Sequence, residues 1–139
     1  MEKESRILIL IVEDEDYIVR VLQDNLAPRG CLIDVVRDGQ KAVEYLKEHA
    51  APDLILLDLL MPNRDGFYVL QQVKENEKWK DIPVFVLSNL GETADVHRAM
   101  ELGANDYFVK SHNTILEVVN RAMNILETKK SPSAAEEKK

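Results

Sequence analysis

The 139-residue chain places four acidic residues in a row, Glu13 to Asp16, then a lone aspartate at Asp58, a hydroxyl at Ser88 and an ammonium at Lys110. Each follows a short apolar run: ILILIV before Glu13, LILL before Asp58, VFVL before Ser88, YFV before Lys110. A carboxylate delivered by four aliphatic residues is costly to bury without a purpose. If the carboxylates after the first and third runs converge, they repel and resist ionising together. A bound cation relieves that repulsion, and an all-oxygen donor set completed by water suits Mg2+ better than zinc. Lys110 can then balance remaining charge, and Ser88 can offer a hydroxyl donor. A divalent ion, a lysine and a hydroxyl around one aspartate form a site for a phosphoryl group. Asp58 would be its nucleophile, forming an aspartyl phosphate.

Such convergence requires the apolar runs to be neighbouring strands. They lie at Ile7–Val12, 32–36, Leu54–Leu57, 84–87 and 107–109, and most are continuous, as expected of strands buried on both faces of a parallel sheet. Amphipathic segments alternate with them. The first spans about 16–27, with Ile18, Val19, Leu22 and Leu26 on one stripe and Pro28 and Gly30 stopping it. Others span about 40–49, begin at Asp65–Gly66, span about 93–102 with Gly103 beyond the end, and span about 113–126. Strict alternation of five strands and five helices predicts an α/β fold with helices on both faces of the sheet. In such sheets ligands bind outside the carboxyl ends of the strands, where these polar residues fall.

Composition narrows the function classes. The net charge of −7 and pI near 5.0 argue against a constitutive nucleic-acid or anionic-membrane binder. One cysteine, Cys31, excludes an internal disulfide, and with no signal peptide or membrane-length span a cytoplasmic location is expected. His49, His97 and His112 show no zinc-ligand spacing with it. The expected organisation is one domain over 1–127 and a disordered polar tail over 128–139, whose last stretch reads KKSPSAAEEKK.

The pieces ILILIVEDED, LILLDLLMPNRDG, VFVLSN and LGANDYFVK, in this order and spacing, resemble the receiver domain of two-component response regulators, of the stand-alone type, from about Arg6 to Leu126. That resemblance implies a flavodoxin-like doubly wound sheet of order 2-1-3-4-5. It implies Asp58 as phospho-acceptor, with Mg2+ held by Asp14 and Asp58 directly, by Glu13 mainly through water, and by the backbone carbonyl of Leu60. Ser88 would be the switch hydroxyl, Tyr107 the aromatic switch residue, and Lys110 the contact to a phosphoryl oxygen. A sensor histidine kinase or phosphotransfer protein would be the donor. A downstream protein would read the face of the last two helices, without nucleic acid or membrane, and a homodimer on phosphorylation is compatible with that face. The only catalysis implied is of the domain's own phosphoryl transfer and dephosphorylation.

Each residue alone has a plainer reading. Glu13 to Asp16 could be an acidic helix start, Ser88 an ordinary strand-end hydroxyl, Lys110 a surface lysine and Tyr107 core. In the last helix Ile115, Val118, Val119, Ala122 and Leu126 form a core stripe that Leu116, Met123 and Ile125 widen. Four positions depart from the family's pattern. Ser111 follows Lys110 where proline after a cis bond is common. Asn89 follows Ser88 where a smaller residue is usual, and could narrow access. Leu60 and Leu90 can neither orient a water nor take up a proton, which predicts slow self-dephosphorylation. A Mg2+-dependent phosphohydrolase fits less well, since its nucleophile usually follows the first strand. A flavin carrier lacks its Ser/Thr/Gly-rich loop. A phosphorylation-independent interaction module or scaffold on the same fold is the alternative, although such a module need not keep Asp14, Asp58, Ser88 and Lys110.

Overall fold

The structure, a computed structural model, describes residues 6–130. Five parallel strands, β1 (Ile7–Val12), β2 (Cys31–Val36), β3 (Leu54–Leu57), β4 (Val84–Ser88) and β5 (Asp106–Val109), form one sheet of order β2-β1-β3-β4-β5. The helices are α1 (Asp16–Leu26), α2 (Gly39–Glu48), α3 (Gly66–Glu75), α4 (Thr93–Glu101) and α5 (Ile115–Lys130). The flavodoxin-like order expected from the sequence is the one observed. Strand order reverses between β1 and β3, which places the switch point beside Glu13 and Asp58.

Side-chain alternation divides the core into two layers. Ile9, Ile11, Leu54, Leu56, Phe85 and Leu87 pack with α1 and α5. Leu10, Val12, Ile55, Leu57, Val84 and Val86 pack with α2, α3 and α4. The central strands β3 and β4 are wholly buried, whereas the edge strand β2 is only partly so. Fully burying one such aliphatic side chain is worth about 1.5–3 kcal/mol, so the central runs fix the register firmly.

Helix ends follow local chemistry. Asp38 and Asp65 cap α2 and α3, accepting from the backbone N–H of Lys41 and Tyr68 at 2.7 and 3.0 Å. At α5, Thr114 Oγ1 accepts from Glu117 N–H at 3.1 Å while Glu117 accepts from Thr114 N–H at 2.8 Å, a reciprocal cap that starts the helix at Ile115, not near Asn113. Helix α1 ends in a 3₁₀ turn, Ala27–Arg29, and Gly30 at φ +89° leads into β2. Helix α5 continues past Leu126 to Lys130; the rest of the expected tail lies outside the described residues. Met123 is buried, so it belongs to the core stripe; Leu116 is exposed. Among the described residues no helix is long and apolar enough to cross a membrane.

Candidate functional site

The strands hand their last residues to one edge of the sheet. The ladders continue one step beyond the strands: Glu13 N–H donates to Val36 O at 3.0 Å, Asp58 N–H to Val12 O at 3.0 Å, and Lys110 N–H to Ser88 O at 2.8 Å. The backbone of each site residue is therefore held as firmly as a strand. By alternation Glu13, Asp58 and Lys110 fall on the α1/α5 side of the sheet, whereas Ser88 and Tyr107 fall on the α2–α4 side.

Glu13, Asp14 and Asp58 each offer a carboxylate oxygen within 4.8 Å of the others. Glu13 is 2% exposed and Asp58 4%, while Asp14 faces solvent. Burial, and then the Asp58 charge, push the Glu13 carboxyl up to about 7, against the pull of Lys110. A hard divalent cation is the counter-charge that such an oxygen set fits.

Lys110 Nζ donates to three carboxylates: Glu15 at 2.7 Å, Glu13 at 3.1 Å and Asp58 at 3.4 Å. Burial works against its charge, but the Glu15 hydrogen bond and the Asp58 and Glu13 charges outweigh it and hold the ammonium above the usual lysine range. The Lys110–Ser111 bond is trans, since no cis peptide occurs among the described residues, and the lysine still reaches Asp58. The other Asp58 oxygen accepts from Leu60 N–H at 3.3 Å.

Ser88 is fully buried as the last residue of β4, and its Oγ accepts from Leu90 N–H at 3.3 Å. The Tyr107 hydroxyl donates to the Leu90 carbonyl. Burial first, then Asp95 and Asp58, push that phenol up to about 12, so it remains a donor at neutral pH. Leu90 thus joins both residues expected to switch. Asn89 is exposed, and so is Leu60.

Other residues at this edge were not assigned from the sequence. Gly66 lets α3 begin against the loop that follows Asp58: a Cβ there would lie 2.3 Å from Asp58 O and 2.7 Å from Leu59 Cα. The loop's far end is fastened to α2, where Gly39 and Gln40 N–H donate to Arg64 O and Asn63 O at 3.1 and 3.0 Å. Asn63 and Arg64 sit at φ 48° and 83°, and Asn63 Nδ2 donates to the buried Asp38 at 3.3 Å. The DG pairs at Asp38–Gly39 and Asp65–Gly66 were the available signal for both fastenings. Glu15 was visible only as one member of the acidic run.

Comparison with known proteins agrees with this geometry. The family model for the response regulator receiver domain matches residues 9–120. The chain belongs to that family. The receiver is 36% identical over 128 residues to the DNA-binding dual master transcriptional regulator RpaA of Synechocystis sp., covering 91% of this chain and 52% of RpaA. It is 36% identical over 126 residues to the probable transcriptional regulator ycf27 of Cyanophora paradoxa, covering 90% and 50%. The chain spans about half the length or less of the curated relatives it matches, from 38 to 52%. Among solved structures, the Mn(2+)-bound form of response regulator Rcp1 superposes with a TM-score of 0.79 at 35% identity, covering 87% of this chain and 95% of Rcp1. The phosphorylated cyanobacterial phytochrome response regulator RcpA gives 0.77 at 34% identity, covering 88% and 93%.

Proposed function

We propose that this receiver is a phosphorylation-dependent switch that accepts a phosphoryl group on Asp58. One observation supports this most directly: a nearly buried Asp58 carboxylate shares its surroundings with two further carboxylates and one ammonium. An Asp58 oxygen forms the new P–O bond as the P–N bond of a donor phosphohistidine breaks. The imidazole nitrogen keeps the electron pair and takes up a proton. Lys110 donates to the phosphoryl oxygens as their charge spreads in the transition state. Asp14 and Asp58, the Leu60 carbonyl, and Glu13 through water would hold Mg2+, which supplies charge neutralisation to the phosphoryl group.

Ser88 then donates its hydroxyl to the new group, and Tyr107 and the Leu90 backbone respond to that movement. The α4–β5–α5 face, where Met100 and Leu116 are exposed, is the surface a protein partner would read. Beyond its own phosphoryl transfer and dephosphorylation, no enzymatic role is proposed. The donor is a sensor histidine kinase or a phosphotransfer protein. DNA binding, stated in the name of RpaA, belongs to that longer protein, and the net charge of −7 here does not favour it.

The test is intact mass after incubation with acetyl phosphate, with and without Mg2+, on wild type and Asp58→Asn. One added phosphoryl group, Mg2+-dependent and absent in the variant, is expected. No added mass, together with no binding of beryllium fluoride, would overturn the proposal in favour of a phosphorylation-independent module.

A further inference from the structure

The four acidic residues after β1 have separate partners. Glu13 and Asp14 join Asp58 in the carboxylate cluster. Asp16 pairs with Arg37 across the surface. Glu15 does neither, and it makes the shortest contact of the Lys110 ammonium, 2.7 Å against 3.4 Å to Asp58. The lysine side chain is 7% exposed and that of Glu15 53%, so the pair sits at the mouth of the site with one buried and one wet partner. Glu15 caps no helix N–H with its side chain. Its own N–H donates to Glu13 at 3.1 Å, which fixes its backbone beside the cluster.

An ammonium has three N–H donors. Here each faces a different carboxylate, so none remains for an incoming phosphoryl oxygen. Glu13 stays with the cluster and Asp58 is the acceptor itself. Glu15 is the partner that can leave, because water replaces the lysine on its exposed side.

We infer that Glu15 is a positioning residue that competes with the phosphoryl group for Lys110 and places a negative charge in the path of anionic donors. This rests on Asp58 being the acceptor. Glu15 acts through Lys110 and touches no reacting atom. It slows capture from small anionic donors, and a donor protein that brings its own positive charge to the mouth would draw Glu15 away and remove the brake.

The test compares wild type, Glu15→Gln and Glu15→Asp with saturating Mg2+. Acetyl phosphate and phosphoramidate, which carries less negative charge, serve as donors, at low and high salt. In each case an Asp58 oxygen bonds phosphorus while the bond to the leaving acetate oxygen or ammonia nitrogen breaks. Glu15→Gln is expected to phosphorylate about three- to tenfold faster with acetyl phosphate at low salt, with a smaller gain from phosphoramidate and a smaller gain at high salt. Beryllium fluoride affinity, read by calorimetry without turnover, is expected to rise by a similar factor. Glu15→Asp keeps the charge but shortens the reach, so it should gain beryllium fluoride affinity while keeping the wild-type donor preference. Unchanged or slower phosphorylation of Glu15→Gln, with wild type active, overturns the inference. So does a Glu15→Asp that matches wild type in beryllium fluoride affinity. A wild type inert to both donors and to beryllium fluoride would instead overturn the function on which the inference rests.

Discussion

Glu13 is buried beside Asp58, and its carboxyl is held up to about 7 against a usual 4.5. The folded state therefore binds that proton more tightly than the unfolded state. Ionising Glu13 costs stability; the cost is absent below about pH 4.5, grows as pH rises and is complete above about pH 7. In metal-free buffer with chelator, Glu13→Gln should stabilise the fold at pH 8 by on the order of 1–3 kcal/mol and leave it unchanged near pH 4.5. Urea unfolding at both pH values checks this, and an equal effect at both would contradict it. Leu90 makes a second prediction at this scale. Its side chain has no group to activate water, so Leu90→Glu should shorten the lifetime of the phosphorylated form by about tenfold or more. Unchanged decay of the added mass would show that the leucine is not what limits hydrolysis. Asp58, Ser88 and Lys110 were legible in the sequence because each ends an apolar run, and strands side by side deliver strand-end residues to one edge. Glu15 was not legible as a lysine partner, because that contact joins residues 95 positions apart and depends on a side-chain reach.

At the scale of elements, the loop that follows Asp58 is clamped at both ends. Gly66 presses against the Asp58 backbone, and Asn63 and Arg64 hang on the start of α2. Gly66→Ala should cost about 1–3 kcal/mol through overpacking and should also slow phosphorylation by at least about tenfold, since the clash falls on the acceptor's own carbonyl. Thr114→Ala provides the contrast. It removes the α5 cap, should cost about 1 kcal/mol, and should leave the phosphorylation rate unchanged. Urea midpoints with acetyl phosphate kinetics on the same samples separate the two. Strand positions were readable to within a residue because continuous apolar runs leave little freedom. The start of α5 was placed two residues early because apolar periodicity does not mark a cap, whereas the Thr114 to Glu117 spacing does. The fastening of Asn63 and Arg64 to α2 was out of reach, since positive φ at a non-glycine pair is a tertiary outcome.

Across the whole molecule, the sheet separates two kinds of residue. Glu13, Asp58 and Lys110 lie on the side of α1 and α5, Ser88 and Tyr107 on the side of α2 to α4. On the second side the Leu90 backbone links the pair, donating to Ser88 and accepting from Tyr107. Tyr107→Phe removes one hydrogen bond, worth about 1 kcal/mol. It should leave the mass added at Asp58 intact while abolishing the phosphorylation-dependent change in amide exchange at residues 89–92. Equal exchange changes in wild type and variant would place the link elsewhere. The partition also works as a two-sided counter. Under the proposed function, goods are handed over on one side and the receipt is read on the other, so a reader resting on α4 need not stand where a donor stands. A binder directed at α4 alone should leave loading by acetyl phosphate at least as fast as in the free protein. Loading blocked by such a binder would show that the two sides share a single queue.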